Sequence, residues 1–432
     1  MQPDVDASEL STNTLASRSQ RQFAWLRRLS FIGPGVIVAV GYIDPGNWAT
    51  DIAGGSYAGY TLLCIILLSS MIAMLLQIMS ARLGIATGKD LAQLSRETWP
   101  HFAWPAWLVT EFTIIATDLA EMLGSAIALK LLFSIPIIIG LVLTIFDVLL
   151  ILAFDRQGSR LLERVVISFL FIIACGLLYE LALAGPIIGD VLRGFMPNSK
   201  VVLDPKLLYL SIGIIGATVM PHNLYLHSNL VIRRWAGLNK QKSAALAKLD
   251  TIISLGVTML LNSALVVLAA SVFHYAGRVN VADIIDAHHL LIPLLGTSSA
   301  AIVFAIMLLA AGQSATITGT LAGQIIMTGF VSLRMKLWLR RLITRAIALI
   351  PALIVIIYVG EQGITSLILS SQVFLSLQLP LAMISLLLLT SNAERMGSLV
   401  NTKTVHCLGW ASALLIMIAN TVLIVEIIRH IN

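Results

Sequence analysis

Two foursomes of residues could hold a cation: Asp44-Pro45-Gly46-Asn47 and Met220-Pro221-His222-Asn223. Each stands in the middle of a long apolar run, with a proline second and an asparagine fourth. Asp44 and Asn47 offer hard oxygen, and Met220 offers a polarizable thioether. Hard ions such as Ca2+ and Mg2+ gain almost nothing from sulfur, whereas first-row transition ions accept it. A mixed oxygen and thioether set therefore favours Mn2+, Fe2+ and softer divalent metals. The chain has 14 methionines, and Met71, Met74 and Met79 read as ordinary core filler. Met220 stands apart because it directly precedes a helix-breaking proline. A third set, Glu111, Asp118 and Glu121, recurs at separations of seven and three, which places the acids along one helical face. Such a face inside a membrane can relay protons, or form a structural network with basic residues.

The elements that carry these residues are membrane helices. The 432 residues are 58% hydrophobic and 12% charged, with mean hydropathy +0.92, whereas a soluble surface needs about a quarter charged residues. Apolar runs of the length that crosses roughly 30 Å of hydrocarbon recur along the chain. Eleven spans are predicted, near 31–56, 58–81, 103–129, 135–153, 162–184, 207–231, 250–274, 296–329, 342–359, 365–390 and 407–428. With the N-terminus inside, 22 of the 28 Lys and Arg fall in cytoplasmic segments and six outside. That bias follows the positive-inside rule and puts the C-terminus outside. The basic balance, with a sequence pI near 9.3, is thus topology and no sign of a nucleic-acid partner. Residues 1–20 are polar and read as disordered, and they lack the basic start and apolar core of a signal peptide. Cys64, Cys175 and Cys407 lie far apart in apolar runs, with neither disulfide nor metal-ligand spacing.

Proline removes an amide donor and blocks the preceding turn, and glycine permits a bend. The freed carbonyls need partners, and a bound cation can serve. An intramembrane Asp is costly unless paired. Because five helices separate the two motifs, the second copy lies upside down in the membrane, as in inverted-repeat transporters with a midplane site. The organisation expected is a cytoplasmic tail (1–25), a five-helix repeat (26–185), an extracytoplasmic loop (186–206), an inverted five-helix repeat (207–392), and an eleventh helix with the C-terminus (393–432). Helices 1 and 6 are the broken ones, at Pro45 and Gly46 and at Pro221.

DPGN at 44–47 and MPHN at 220–223 resemble the signature pair of the Nramp family, proton-coupled divalent-metal transporters with an all-α, LeuT-like fold. TDLAE (117–121), TRAIALIP (344–351) and SQVFLSLQLP (371–380) agree, and the resemblance covers essentially the whole chain after residue 25. Length and short loops are similar to the bacterial manganese-importing branch. Magnesium-transporting relatives lack this combination of Asp, Asn and Met.

The resemblance implies a metal site made by the side chains of Asp44, Asn47 and Met220 and the backbone carbonyl of Ala217. Gln372 would complete the shell when the site is occluded, with Gln378 its rival. It also implies that Asp118 and Glu121 are a proton-exit pair, Glu111 an acid further along, and Arg345 the arginine that neutralises the pair; Arg341, one turn away, could share that role. His222 can pass protons, its unperturbed pKa being near 6.5, or make a packing hydrogen bond. His227 is a weaker candidate, and Asn262 reads as an interhelical hydrogen bond. His288 and His289 read as an ordinary loop pair.

No P-loop is present and no catalytic set is evident, so an ion gradient is left as the energy source. The function expected is proton-coupled import of Mn2+ and Fe2+ across a bacterial inner membrane. The metal is cargo, H+ is the coupling ion, and no cofactor or obligate protein partner is expected beyond membrane lipid. Two rivals remain: a sodium-coupled amino-acid symporter of the same architecture, which Asp44 opposes, and a passive channel, which would want a ring of equivalent residues.

Overall fold

The structure is a computed structural model that describes residues 33–146, 159–234, 237–279, 281 and 283–431. The tail at 1–25 and the far end of the span expected at 135–153 lie outside the described residues. Among the described residues every regular element is helical.

The first apolar run is interrupted as its proline dictates. Helix α1 (Pro34–Gly41) stops when Tyr42 and Ile43 turn their N–H groups back to Ala39 O and Val40 O, at 2.9 and 3.2 Å. Asp44 is extended (φ −78°, ψ 165°) and caps α2 (Pro45–Ala58). Pro45 is the first residue of α2, where a missing N–H costs nothing. After α3 (Leu63–Thr87), α4 (Ala103–Phe133), α5 (Ile137–Thr144) and α6 (Ser159–Ala184) the pattern recurs. Helix α7 (Pro205–Thr218) ends, Val219 leaves helical geometry, and α8 starts at Pro221 and runs to Arg234. Then follow α9 (Lys240–Ala269), the short α10 (Ile284–Leu295), α11 (Ser298–Val331), α12 (Leu337–Tyr358), α13 (Gly363–Thr390) and α14 (Lys403–Ile431).

Nine stretches of described residues are long and apolar enough to cross a membrane, one being the helical run from Pro45 to Thr87, which joins most of the first and second expected spans. Of the fourth span only α5 is described as helix. His288 and His289 sit on a helix, α10, where loop was expected. His288 is buried, its ring 6.2 Å from that of Phe304.

Packing keeps the broken helices in the middle. Helix α4 lies along α11, α3 along α9, and α2 and α7 touch each other as well as α13. The start of α1 is fastened to α9, because Asp250 accepts from Gly33 N at 3.0 Å and Gly35 N at 2.8 Å. Helices α6 and α12 are peripheral. They turn Phe171, Leu178 and Ile357 outward, each about two-thirds exposed, as suits lipid. Between helices, small residues allow close approach: α3 meets α8 at Gly84, where any side chain would run into the Ser228 carbonyl.

Gly84→Val should therefore lower the melting temperature of the detergent-purified protein, since overpacking costs about 1–3 kcal/mol. Gly256→Val, where nothing stands within 4 Å, should leave it unchanged. Equal effects would sink this account of the α3–α8 contact.

Candidate metal site between the two helix breaks

A helical carbonyl is normally capped by the N–H four residues on, and prolines at 45 and 221 have none. The carbonyls so released belong to Gly41 and Ala217. Ala217 O is taken up from across the molecule, by Asn47 Nδ2 at 3.0 Å. The same Nδ2 donates to Asp44 Oδ1 at 2.7 Å, and Asn47 N donates to that oxygen at 3.0 Å. Asn47 thus joins Asp44, its own helix start, to the opposite break.

These bonds leave oxygens over. Asp44 Oδ2, Asn47 Oδ1 and Gln372 Oε1 are all buried with no hydrogen-bond partner. Gln372 lies between the two breaks: a side chain on Gly46 would collide with its amide, and one on Gly216 with its backbone carbonyl. Met220 is buried beside Pro221, and its Sδ accepts from Asn223 Nδ2 at 3.5 Å. Unpartnered acceptors and a thioether on one pair of breaks fit a cation that takes both oxygen and sulfur. Among the described residues no group of three or more His, Cys, Asp or Glu could hold a metal. A metal here must draw on amide, thioether and backbone oxygen. Gln378, two turns along α13 from Gln372, is also buried, with both amide atoms unpartnered; the structure places Gln372, not Gln378, at Gly46 and Gly216.

Beyond His222 the chemistry changes from ligand to charge. His222 is buried on α8, and Asp118 of α4 is its charged neighbour. Asp118 and Glu121 are both buried, and Arg341 of α12 is ion-paired to both, its Nη2 3.0 Å from Glu121 Oε2. Of the two arginines expected to share this role, Arg341 and Arg345, the first makes the recorded ion pairs. Arg341 is the direct partner of the acid pair. Arg345, one turn on, donates to Thr316 Oγ1 at 2.9 Å, and its charge also bears on Glu121. Glu111, further along α4, pairs with Arg340 at 2.6 Å.

His227 holds Gln77 Oε1 at 2.9 Å, and Gln77 donates to the Tyr42 hydroxyl at 2.8 Å. Asn262 makes its interhelical bond, to Tyr42 O at 3.0 Å. Sequence reasoning missed Arg340, Gln77, Tyr42 and the buried, unpartnered carboxylates of Asp51 and Glu180. For the two acids the available signal was a carboxylate inside an apolar run.

A family model described as "Nramp: Natural resistance-associated macrophage protein-like" matches residues 35–426. The chain is 48% identical over 427 residues to the "Divalent metal cation transporter MntH" of Brucella suis biovar 1 (strain 1330), covering 98% of this chain and 93% of that protein. It is 49% identical over 406 residues to the protein of the same name from Nostoc sp., covering 93% and 92%. It resembles the crystal structure of the Eremococcus coleocola manganese transporter in complex with an aromatic bis-isothiourea substituted compound, with TM-score 0.84, 39% identity and coverage of 92% and 86%. Mhp1, a nucleobase-cation-symport-1 family transporter, shares the fold alone, at TM-score 0.60 and 14% identity over 91% and 90% of the chains.

Removing one partner of a buried ion pair costs about 3–5 kcal/mol, because a charge is stranded. Arg341→Gln should thus lower thermal stability more than Arg345→Gln. Adding Asp118→Asn should restore part of the loss to the Arg341→Gln variant. The reverse ranking in a melting assay would return the pairing role to Arg345.

Proposed function

The chain belongs to the Nramp family, and on that footing we propose that it is a proton-coupled symporter importing divalent transition metals, Mn2+ and also Fe2+, by alternating access. Its curated relatives are named as transporters, and it is not an enzyme. The observation that carries the reading is the donor set at the two breaks: three unpartnered oxygens on Asp44, Asn47 and Gln372, the Ala217 carbonyl, and the Met220 sulfur. The metal enters from outside, binds between the breaks and leaves to the cytoplasm as the half-helices rearrange. The N-terminus is cytoplasmic and the C-terminus outside, following the distribution of Lys and Arg. An inside-negative potential of 100 mV favours inward movement by about 2.3 kcal/mol per charge, doubled for a divalent ion.

Protons travel in the same direction. Asp118, adjacent in charge to His222, links the metal site to the pair with Glu121 and its Arg341 counterion, and Glu111 with Arg340 continues the line along α4. A carboxylate held by an arginine can exchange that partner for a proton, which is the property a relay requires.

Uptake of Mn2+ into proteoliposomes containing a pH dye tests both parts. Entry with internal acidification is expected, undiminished by excess Ca2+ or Mg2+ and lost in Asp44→Ala. Uptake abolished by the hard ions would sink the sulfur-ligand argument, and uptake without acidification would overturn the proton relay. Met220→Ala should alter selectivity among metals; a sodium-coupled solute symporter or a channel would be indifferent to it.

A further inference from the structure

We infer that Asn223 is a positioning residue for the sulfur ligand, orienting Met220 on the second broken helix as Asn47 orients Asp44 on the first. The inference rests on the reading of the breaks as the metal site. The two asparagines occupy matching places. Each stands three residues after its own candidate ligand and donates to that ligand's side chain, Asn47 Nδ2 to Asp44 Oδ1 at 2.7 Å and Asn223 Nδ2 to Met220 Sδ at 3.5 Å. Each also reaches the opposite break at the residue whose carbonyl a proline has released. Asn47 bonds Ala217 O at 3.0 Å. Asn223 lies on Gly41, where a methyl group would come within 2.7 Å of Nδ2, 3.3 Å of Oδ1 and 3.2 Å of Thr318 Oγ1.

The chemistry of the thioether gives this contact a consequence. A thioether has no proton to donate, so the amide edge facing Met220 is its NH2 group. Methionine has three rotatable side-chain bonds and fills space in many ways. Its sulfur has two lone pairs. An N–H bond to one of them fixes the rotamer and leaves the other for a metal. Asn223 is itself fully buried, so water cannot replace its amide. The glycine at 41 is what admits the amide there. The preference of the site for soft ions then depends on Asn223 through its hold on the Met220 sulfur.

Isothermal titration of the detergent-purified full chain with Mn2+ and Cd2+ tests this. Asn223→Leu, similar in shape but without the donor, should weaken Cd2+ roughly fivefold more than Mn2+, the size of one modest hydrogen bond. In a Met220→Ala background the same substitution should change the Cd2+ to Mn2+ ratio no further. Asn223→Ser, too short to reach the sulfur, and Gly41→Ala, which pushes the amide aside while keeping it, should shift the ratio in the same direction; they serve if Asn223→Leu fails to fold. Equal weakening of both ions, or an unchanged shift in the Met220→Ala background, would overturn the role of Asn223 and leave the site reading intact. Wild-type protein that binds neither ion, or Met220→Ala with the wild-type ratio, would remove the site reading and this inference with it.

Discussion

A proline inside a membrane helix leaves one carbonyl without its amide, and hydrocarbon supplies no water to replace it. Pro351 and Pro380 do this inside α12 and α13, but at the two breaks it falls on the carbonyls of Gly41 and Ala217, and much of the centre is arranged around these two. The hydrogen bond from Asn47 to Ala217 satisfies one of them and in the same stroke ties the first break to the second. The capping of α2 by Asp44 consumes one carboxylate oxygen and leaves the other free. A gathering of acceptors beside two helix ends is thus a direct result of where the prolines stand. The same acceptors, being surplus to the fold, are available to a cation.

Charge is handled separately, one layer away on α4. Buried carboxylates are costly without counterions, and for the acids of α4 the arginines come from α12 on the opposite side: Arg341 for Asp118 and Glu121, Arg340 for Glu111. Because α4 packs along α11 and also touches α12 and α13, this network is in mechanical contact with the helix that carries Gln372. His222, on the first turn of α8 beside Met220, lies within electrostatic reach of Asp118.

The ends of the broken helices are held by polar contacts rather than by packing alone. Asp250 caps the start of α1, and at the far end of α2 the Tyr57 hydroxyl donates to Asp204, the cap of α7, at 3.0 Å. Contacts of this kind are each modest in net free energy, since water can take the place of either partner once it is exposed. Such contacts are what the proposed alternating access requires, since half-helices so fastened can exchange arrangements without dismantling the core.

Much of this was legible in the sequence. Apolar runs of spanning length, the asymmetry of Lys and Arg and the two proline foursomes are local properties: each acts on its own helix or loop, so its effect follows from spacing alone. The acids on α4 were legible for the same reason, whereas Ala217 was indicated only by the family resemblance. Tertiary structure decided which of several equivalent neighbours meets its partner. Arg341 and Arg345 lie one turn apart on one face, and Gln372 and Gln378 lie on one helix, so spacing alone could not rank them. The choice depends on how α12 and α13 are rotated and shifted against α4 and the breaks. That placement is set by side-chain packing along their whole lengths, which no single stretch of sequence contains.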